Sequence, residues 1–370
     1  MTLQDRKRLQ DAPAAGSIAL VQGIENTGSE LLEMLARHHT VYTTTASALD
    51  PSSTGDTLLY VFDLDLGDQA IVADLRQRFQ TNTGIPRLFV LNTAARRDIV
   101  QAYNLGADDY LVRPLTHASV SAALAGLVNQ VVERRWESLN PVQSAALKTS
   151  LKVIEDSLTC VKKGGSLPLE AIKESCDLVV RATAEHSLAE WMQAVRAHHN
   201  YTYRHSMMVC GLLVAFGRDI GIGGEELQRL TVGGMLHDIG KAFVPLELLD
   251  KPTRLEPHEW QVMQSHPQHA CEFFSSELDL HPDIVDAAVH HHEKLDGTGY
   301  PDGLKGSEIC DVARMVAVCD VYSGLTDKRA YKPAMSAEQA WTIMQSLDGH
   351  LDQALVAAFR PIAMGGQSAP

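Results

Sequence analysis

Met235-Leu236-His237-Asp238-Ile239-Gly240-Lys241 and His291-His292-Glu293-Lys294-Leu295-Asp296-Gly297-Thr298-Gly299-Tyr300-Pro301 bracket the stretch from which the rest of the chain is read. The first segment sets a His-Asp pair at the end of an apolar helical run. The second opens on an adjacent His pair and passes into a turn rich in glycine. Imidazole and carboxylate donors mixed in this way suit borderline first-row metals. A lone helix-end histidine is ordinarily a satisfied structural residue. Here the set is tied to a loop whose glycines and proline have no packing reason to follow a His pair. The glycines permit positive φ and Pro301 fixes its own.

Outward from this stretch the pattern is helical. Leu212, Leu213, Ala215 and Phe216, and further on Ala340, Ile343, Met344 and Leu347, recur at helical spacing, and no run of strands is read from Ser187 onward. The expectation is an all-α bundle whose sites are built from inward-facing side chains. Asp320 ends the apolar run that starts at Val312, and a carboxylate in such surroundings is costly without a cation. Upstream, Leu147, Leu151, Ile154, Leu158 and Val161 form one helical stripe before Gly164-Gly165-Ser166-Leu167-Pro168 breaks it. Two readings of the stripe stay open: packing on the chain's own helical domain, or self-association in a dimer.

These residues resemble the HD-GYP family, bacterial hydrolases of cyclic di-GMP within the HD phosphohydrolase superfamily. The resemblance rests on His237-Asp238, Gly299-Tyr300-Pro301, the segment His199 to Ser206 and the run from Asp311 to Tyr331, and spans roughly residues 190 to 350. It implies two divalent metal ions, iron or manganese. His205, His237, Asp238 and Asp320 would hold one; Asp238 would bridge to a second, completed by His266, His291 and His292. Two metals about 3.5 to 4 Å apart can generate hydroxide at neutral pH and neutralise phosphoryl charge. Asp238 and Lys241 are the implied catalytic residues, with Lys241, Tyr300, Arg329 and Lys332 facing substrate. Glu293 and Asp296 would orient ligand imidazoles. Some family members hold a third metal through a glutamate four residues before the first histidine; Tyr201 stands there, which implies a two-metal site.

The first segment alternates apolar runs with helical patterns: Ile18 to Val21, Thr57 to Phe62, Arg87 to Leu91 and Asp109 to Val112. Strands spaced by helices imply a doubly wound parallel sheet. With Gly106-Ala-Asp-Asp-Tyr-Leu-Val-Arg-Pro114 it resembles the response-regulator receiver domain, a flavodoxin-like fold. The resemblance puts Asp63 at the phosphoacceptor position, Thr93 at the switch hydroxyl and Arg113 where the family has lysine. Receivers carry an acidic pair after the first strand, and this chain has Gln22-Gly23. Mg²⁺ needs oxygen ligands, so the expectation is a degenerate receiver with Asp63 inactive, serving as a docking or dimerisation surface.

The expected layout is multidomain: a receiver-like domain over 1–130, a helical linker over 131–185, the HD-GYP domain over 186–364 and a disordered tail over 365–370. A formal net charge of −14 argues against a nucleic-acid polymer as partner. Six cysteines without a Cys-x-x-Cys pair read as reduced thiols. The polar N-terminus and the lack of an apolar run near the ~18 to 20 residues of a membrane span place the chain in the cytoplasm. The expected function is hydrolysis of cyclic di-GMP by a metal-activated hydroxide, with pGpG or GMP left open as the end product. The rivals are a cyclic di-GMP or pGpG binding protein that signals through contacts, and a general HD nucleotidase. A homodimer and GGDEF-domain partners complete the expectation.

Overall fold

The computed structural model describes residues 16–23, 30–37, 39–51, 57–79, 84–185, 187–249, 251, 253–275, 277, 279–327 and 334–365. The chain divides into two units, Met1–Arg135 and Trp136–Pro370.

The first unit is built from β1 (Ser17–Gln22), α1 (Glu30–Ala36), β2 (Thr40–Thr44), β3 (Leu59–Asp63), α2 (Gln69–Arg78), β4 (Arg87–Leu91), α3 (Arg96–Asn104), β5 (Asp109–Val112) and α4 (His117–Trp136), the last ending at the division. The strands form one parallel sheet in the order β2-β1-β3-β4-β5, the order of flavodoxin-like doubly wound sheets. β1, β3 and β4 are buried along their whole length, as continuous apolar strands covered on both faces should be. β2 is absent from the sequence reading. It is an edge strand, Thr-Val-Tyr-Thr-Thr, in which only Val41 is buried; its threonines suit a pleated strand without forming an apolar run.

The second unit is helical: α5 (Pro141–Lys163), α6 (Leu169–Glu185), α7 (Leu188–Arg196), α8 (Tyr201–Asp219), α9 (Gly224–Leu236), a 3₁₀ turn (Ile239–Phe243), α10 (Leu246–Leu249), α11 (Pro257–Gln264), α12 (His266–Phe274), α13 (Pro282–His290), a second 3₁₀ turn (Gly306–Glu308), α14 (Asp311–Thr326), α15 (Ala337–Gln345) and α16 (Gln353–Ala363). The only β-pairing among its described residues is an isolated bridge between Asp296 and Lys305.

α5 starts behind Asn140, whose side chain accepts from the Val142 N–H, and stops at Gly164 in the left-handed region, where glycine carries no Cβ penalty. Along its stripe Leu147, Leu151, Ile154 and Val161 are buried within the single chain, packed on α6 and the first 3₁₀ turn. Of the two readings of that stripe, the structure selects packing on the chain's own helices. The centre of the unit is α8, buried from Tyr203 to Val214, with α9 and α14 against it. Asp320 is a correction: α14 continues to Thr326 because the apolar pattern persists through Tyr322, so Asp320 lies inside the helix and not at its end. No helix among the described residues is long and apolar enough to cross a membrane.

Candidate metal centre

Asp238 stands where α9 gives way to the 3₁₀ turn. The α-helix stops at Leu236, and the tighter turn that follows brings Lys241 Nζ to 2.6 Å from Asp238 Oδ2. Gly240 in that turn is required by packing. A Cβ there would lie 1.9 Å from the backbone oxygen of His266, so only glycine lets the start of α12 approach Asp238.

The two oxygens of Asp238 face different groups. Oδ2 lies 3.4 Å from His237 Nε2 and 3.7 Å from His205 Nε2. Oδ1 lies 3.4 Å from His266 Nε2 and 3.9 Å from His291 Nε2. Donor atoms of His205, His237 and Asp238 form one cluster, and those of His266, His291 and His292 a second, each compact enough to surround an ion. Asp320 joins the first through Oδ1, 2.9 Å from His205 Nε2. The His292 ring lies 4.0 Å from His291 and 4.9 Å from Tyr300, centre to centre.

Hydrogen bonds behind the rings set their protonation. Nδ1 of His237 contacts the Gly234 carbonyl at 2.7 Å, that of His266 the Met263 carbonyl at 2.8 Å, and that of His291 the Ala287 carbonyl at 3.0 Å. A carbonyl only accepts, so each Nδ1 carries the hydrogen and each Nε2 turns a lone pair to the centre. His266 and His291 therefore face one another through two lone pairs 3.5 Å apart, beside the buried Asp238 Oδ1, which has no hydrogen-bond partner. Electron-rich atoms converging without a hydrogen between them are uncompensated. Two imidazole nitrogens sharing one ion at about 2.1 Å stand about 3 to 3.4 Å apart, so the donor set fits divalent cations.

Electrostatics agree. Burial pushes His266 down to about 3 and His292 down to about 4, and lowers His205 and His291. Burial also presses on His237, but the Asp238 and Asp320 charges outweigh it and its pKa is raised. Burial opposes ionisation of Asp238, yet Lys241 and His237 hold it well below the carboxylate range; His205 and His292 do the same for Asp320. The centre thus holds ionised carboxylates beside mostly neutral imidazoles, the forms that bind metals.

His290 points away from the centre: its nitrogens lie 3.1 Å from Asp286 and 3.2 Å from Asp302. Tyr201 stacks on the His205 ring, 5.6 Å away with planes 6° apart. Glu293 and Asp296 are corrections. Neither orients a ligand imidazole, because both side chains turn to loop backbone: Glu293 accepts from Asp302, Gly303 and Leu304, and Asp296 from Thr298. Gly299 permits this fold-back, since a Cβ there would lie 2.4 Å from Glu293 Cα. Arg329 and Lys332 lie outside the described residues. Sequence reasoning also missed the buried ion pair of Arg204 with Asp327, 3.0 Å apart, and Ser323, 3.2 Å from His205 Nδ1. The Tyr201–His205 contact had a signal, their spacing of one helical turn.

In the first unit Asp63, at the carboxyl end of β3, is buried with both oxygens occupied. Arg113 donates to Oδ1 at 2.8 Å and the Gln22 amide to Oδ2 at 3.3 Å. Thr93 donates to Asp98 at 3.0 Å.

Residues 187–355 match the HD domain family. A cyclic di-GMP phosphodiesterase of Pseudomonas aeruginosa is 38% identical over 165 residues, covering 45% of this chain and 40% of the relative. A 3′3′-cGAMP-specific phosphodiesterase of Vibrio cholerae serotype O1 is 34% identical over 152 residues, 41% of this chain and 35% of the relative. A protein of the same organism named as a probable cyclic di-GMP phosphodiesterase is 29% identical over 286 residues, 74% of this chain and 60% of the relative. The chain spans less than two thirds of the length of each of these relatives. The helical part from 187 to 355 is thus HD-type in sequence, and the His237-Asp238 pair stands at the middle of its histidine clusters.

Proposed function

We propose that the chain is a metal-dependent phosphodiesterase that hydrolyses cyclic di-GMP to pGpG. The observation that carries this reading is Asp238, one buried carboxylate with its two oxygens turned to two imidazole clusters. Two divalent cations held there, iron or manganese, would supply Lewis acidity toward a phosphodiester and lower the pKa of water. His205, His237, Asp238 and Asp320 would hold one; Asp238, His266, His291 and His292 the other.

The remaining roles fall to the chain's own groups. Lys241, held on Asp238 at 2.6 Å, supplies a cation at the mouth of the centre to bind a phosphoryl oxygen and aid the leaving oxygen. Tyr300, half-buried against His292, lines the rim and contacts the dinucleotide. Arg329 and Lys332 clamp its phosphates, a task for which a guanidinium fork is well shaped. In the first unit, the Arg113 and Gln22 contacts to Asp63 support a degenerate receiver that takes up no phosphoryl group and serves as a docking or dimerisation surface, while GGDEF-domain partners meet the Gly299-Tyr300-Pro301 loop.

The test is to load the protein with Fe²⁺ or Mn²⁺ under reducing conditions and chromatograph the products. The names of the relatives divide between cyclic di-GMP and 3′3′-cGAMP, so both belong in the assay. Formation of pGpG that is abolished by His237→Ala with Asp238→Ala supports the proposal. Uncleaved cyclic di-GMP retained by the metal-loaded protein refutes it in favour of a binding protein.

A further inference from the structure

We propose that Glu293 is a positioning residue: its buried carboxylate pins the backbone of residues 302–304 and so holds Tyr300 against the His292 ring, where the dinucleotide is bound. This rests on the function proposed above.

Glu293 follows His292 directly and is 3% exposed. Its Oε1 accepts from the N–H groups of Asp302 at 2.6 Å and Gly303 at 2.9 Å, and its Oε2 from Leu304 at 3.1 Å. Three consecutive amides converge on one side chain because Gly303 takes φ of 68°, a conformation that turns neighbouring N–H groups into an anion cradle. The segment from Lys294 to Pro301 is thereby closed at its base. Closure seats Gly299 on the Glu293 backbone, brings the Tyr300 N–H to 3.3 Å from the His292 carbonyl and lays the Tyr300 ring 4.9 Å from the His292 ring.

The far limb of the loop is held separately, by Asp296 N–H on the Gly349 carbonyl at 2.8 Å and by Arg314 on the Gly306 carbonyl at 2.8 Å. His290 touches only the Asp302 side chain on the near limb. Glu293 alone gathers the Gly303 and Leu304 amides among the described contacts. Chemistry requires an acid there: an ionised carboxylate is acceptor-only, whereas glutamine would turn N–H groups toward N–H groups.

The experiment uses the full chain loaded with Mn²⁺, with Glu293→Gln, Tyr300→Ala and the double variant assayed on cyclic di-GMP. The expected result is that Glu293→Gln raises KM about tenfold with kcat within about threefold of wild type, the mark of a lost binding contact. Tyr300→Ala does the same, and the double variant adds no more than about twofold, because both act through one contact. Hydrogen exchange at the amides of 302–304 is faster in Glu293→Gln by about tenfold or more, with metal content unchanged. Gly303→Ala, strained at positive φ, gives the same KM effect from the loop side and serves if Glu293→Gln does not fold. Additive effects, an unchanged KM, or a loss confined to kcat overturn the proposal. Absence of turnover by the wild type refutes the functional reading instead, while exchange at 302–304 still reports whether Glu293 holds the loop.

Discussion

Gly240→Ala tests how the second imidazole cluster is brought to Asp238. A Cβ at this position would stand 1.9 Å from the His266 backbone oxygen and 3.0 Å from the Ala270 nitrogen. Neither is the end of a flexible side chain, so the start of α12 must withdraw by about 1.5 Å to reach ordinary contact. His266 is the first residue of that helix, and its Nε2 is 3.4 Å from Asp238 Oδ1. Ligand geometry tolerates errors of about 0.2 Å, so a displacement several times larger empties the position facing His266 and His291. Overpacking of this kind costs about 1 to 3 kcal/mol, which in a domain of this size lowers Tm by about 2 to 12 °C. The assay is thermal melting together with metal analysis of anaerobically purified protein. The expected variant is folded, melts in that lower range, binds about one metal fewer per chain and has lost turnover. Wild-type metal content and turnover in Gly240→Ala would refute the reasoning.

Further predictions follow from the same geometry. The metal-free protein loses stability as pH falls: His266 and His292 are depressed to about 3 and about 4 from an ordinary 6.5, so their contribution is full above about pH 6.5 and declines toward pH 4 as the unfolded chain takes up protons first. His237, raised by its carboxylates, works the other way but is one ring against several, and melting of the metal-free form from pH 8 to 4 shows which side prevails. Asp327→Asn leaves the buried Arg204 guanidinium without its 3.0 Å partner and costs about 3 to 5 kcal/mol in urea unfolding; a loss under 1 kcal/mol would mean that solvent reaches the pair. Incubation with acetyl phosphate and Mg²⁺ leaves Asp63 unmodified, since Arg113 and Gln22 already occupy its oxygens; mass spectrometric detection of an aspartyl phosphate would overturn that account.

What could be read in the sequence was carried by short motifs and continuous runs. His237-Asp238 and His291-His292 announce themselves because two potential ligands stand side by side, and the three buried strands of the first unit because their apolar runs are unbroken. β2 escaped because an edge strand needs no such run. The end of the run at Asp320 was misjudged because a buried carboxylate reads as an interruption, although Tyr322, Ser323 and Thr326 carry the buried face onward. Glu293 was misassigned for a different reason. Beside two histidines a carboxylate suggests an imidazole partner, but its actual partners are backbone amides that exist only once the loop has folded back. The Arg204–Asp327 pair lies 123 positions apart, beyond any local pattern.

The converging groups come from α8, the end of α9, the first turn of α12, the end of α13 and the middle of α14, each helix giving one or two. No single helix of the unit, and no pair consecutive in sequence, contains the assembled cluster. The centre is complete only when the last of these helices has docked. Competence of the centre therefore depends on the docking of all five helices, each of which carries part of it.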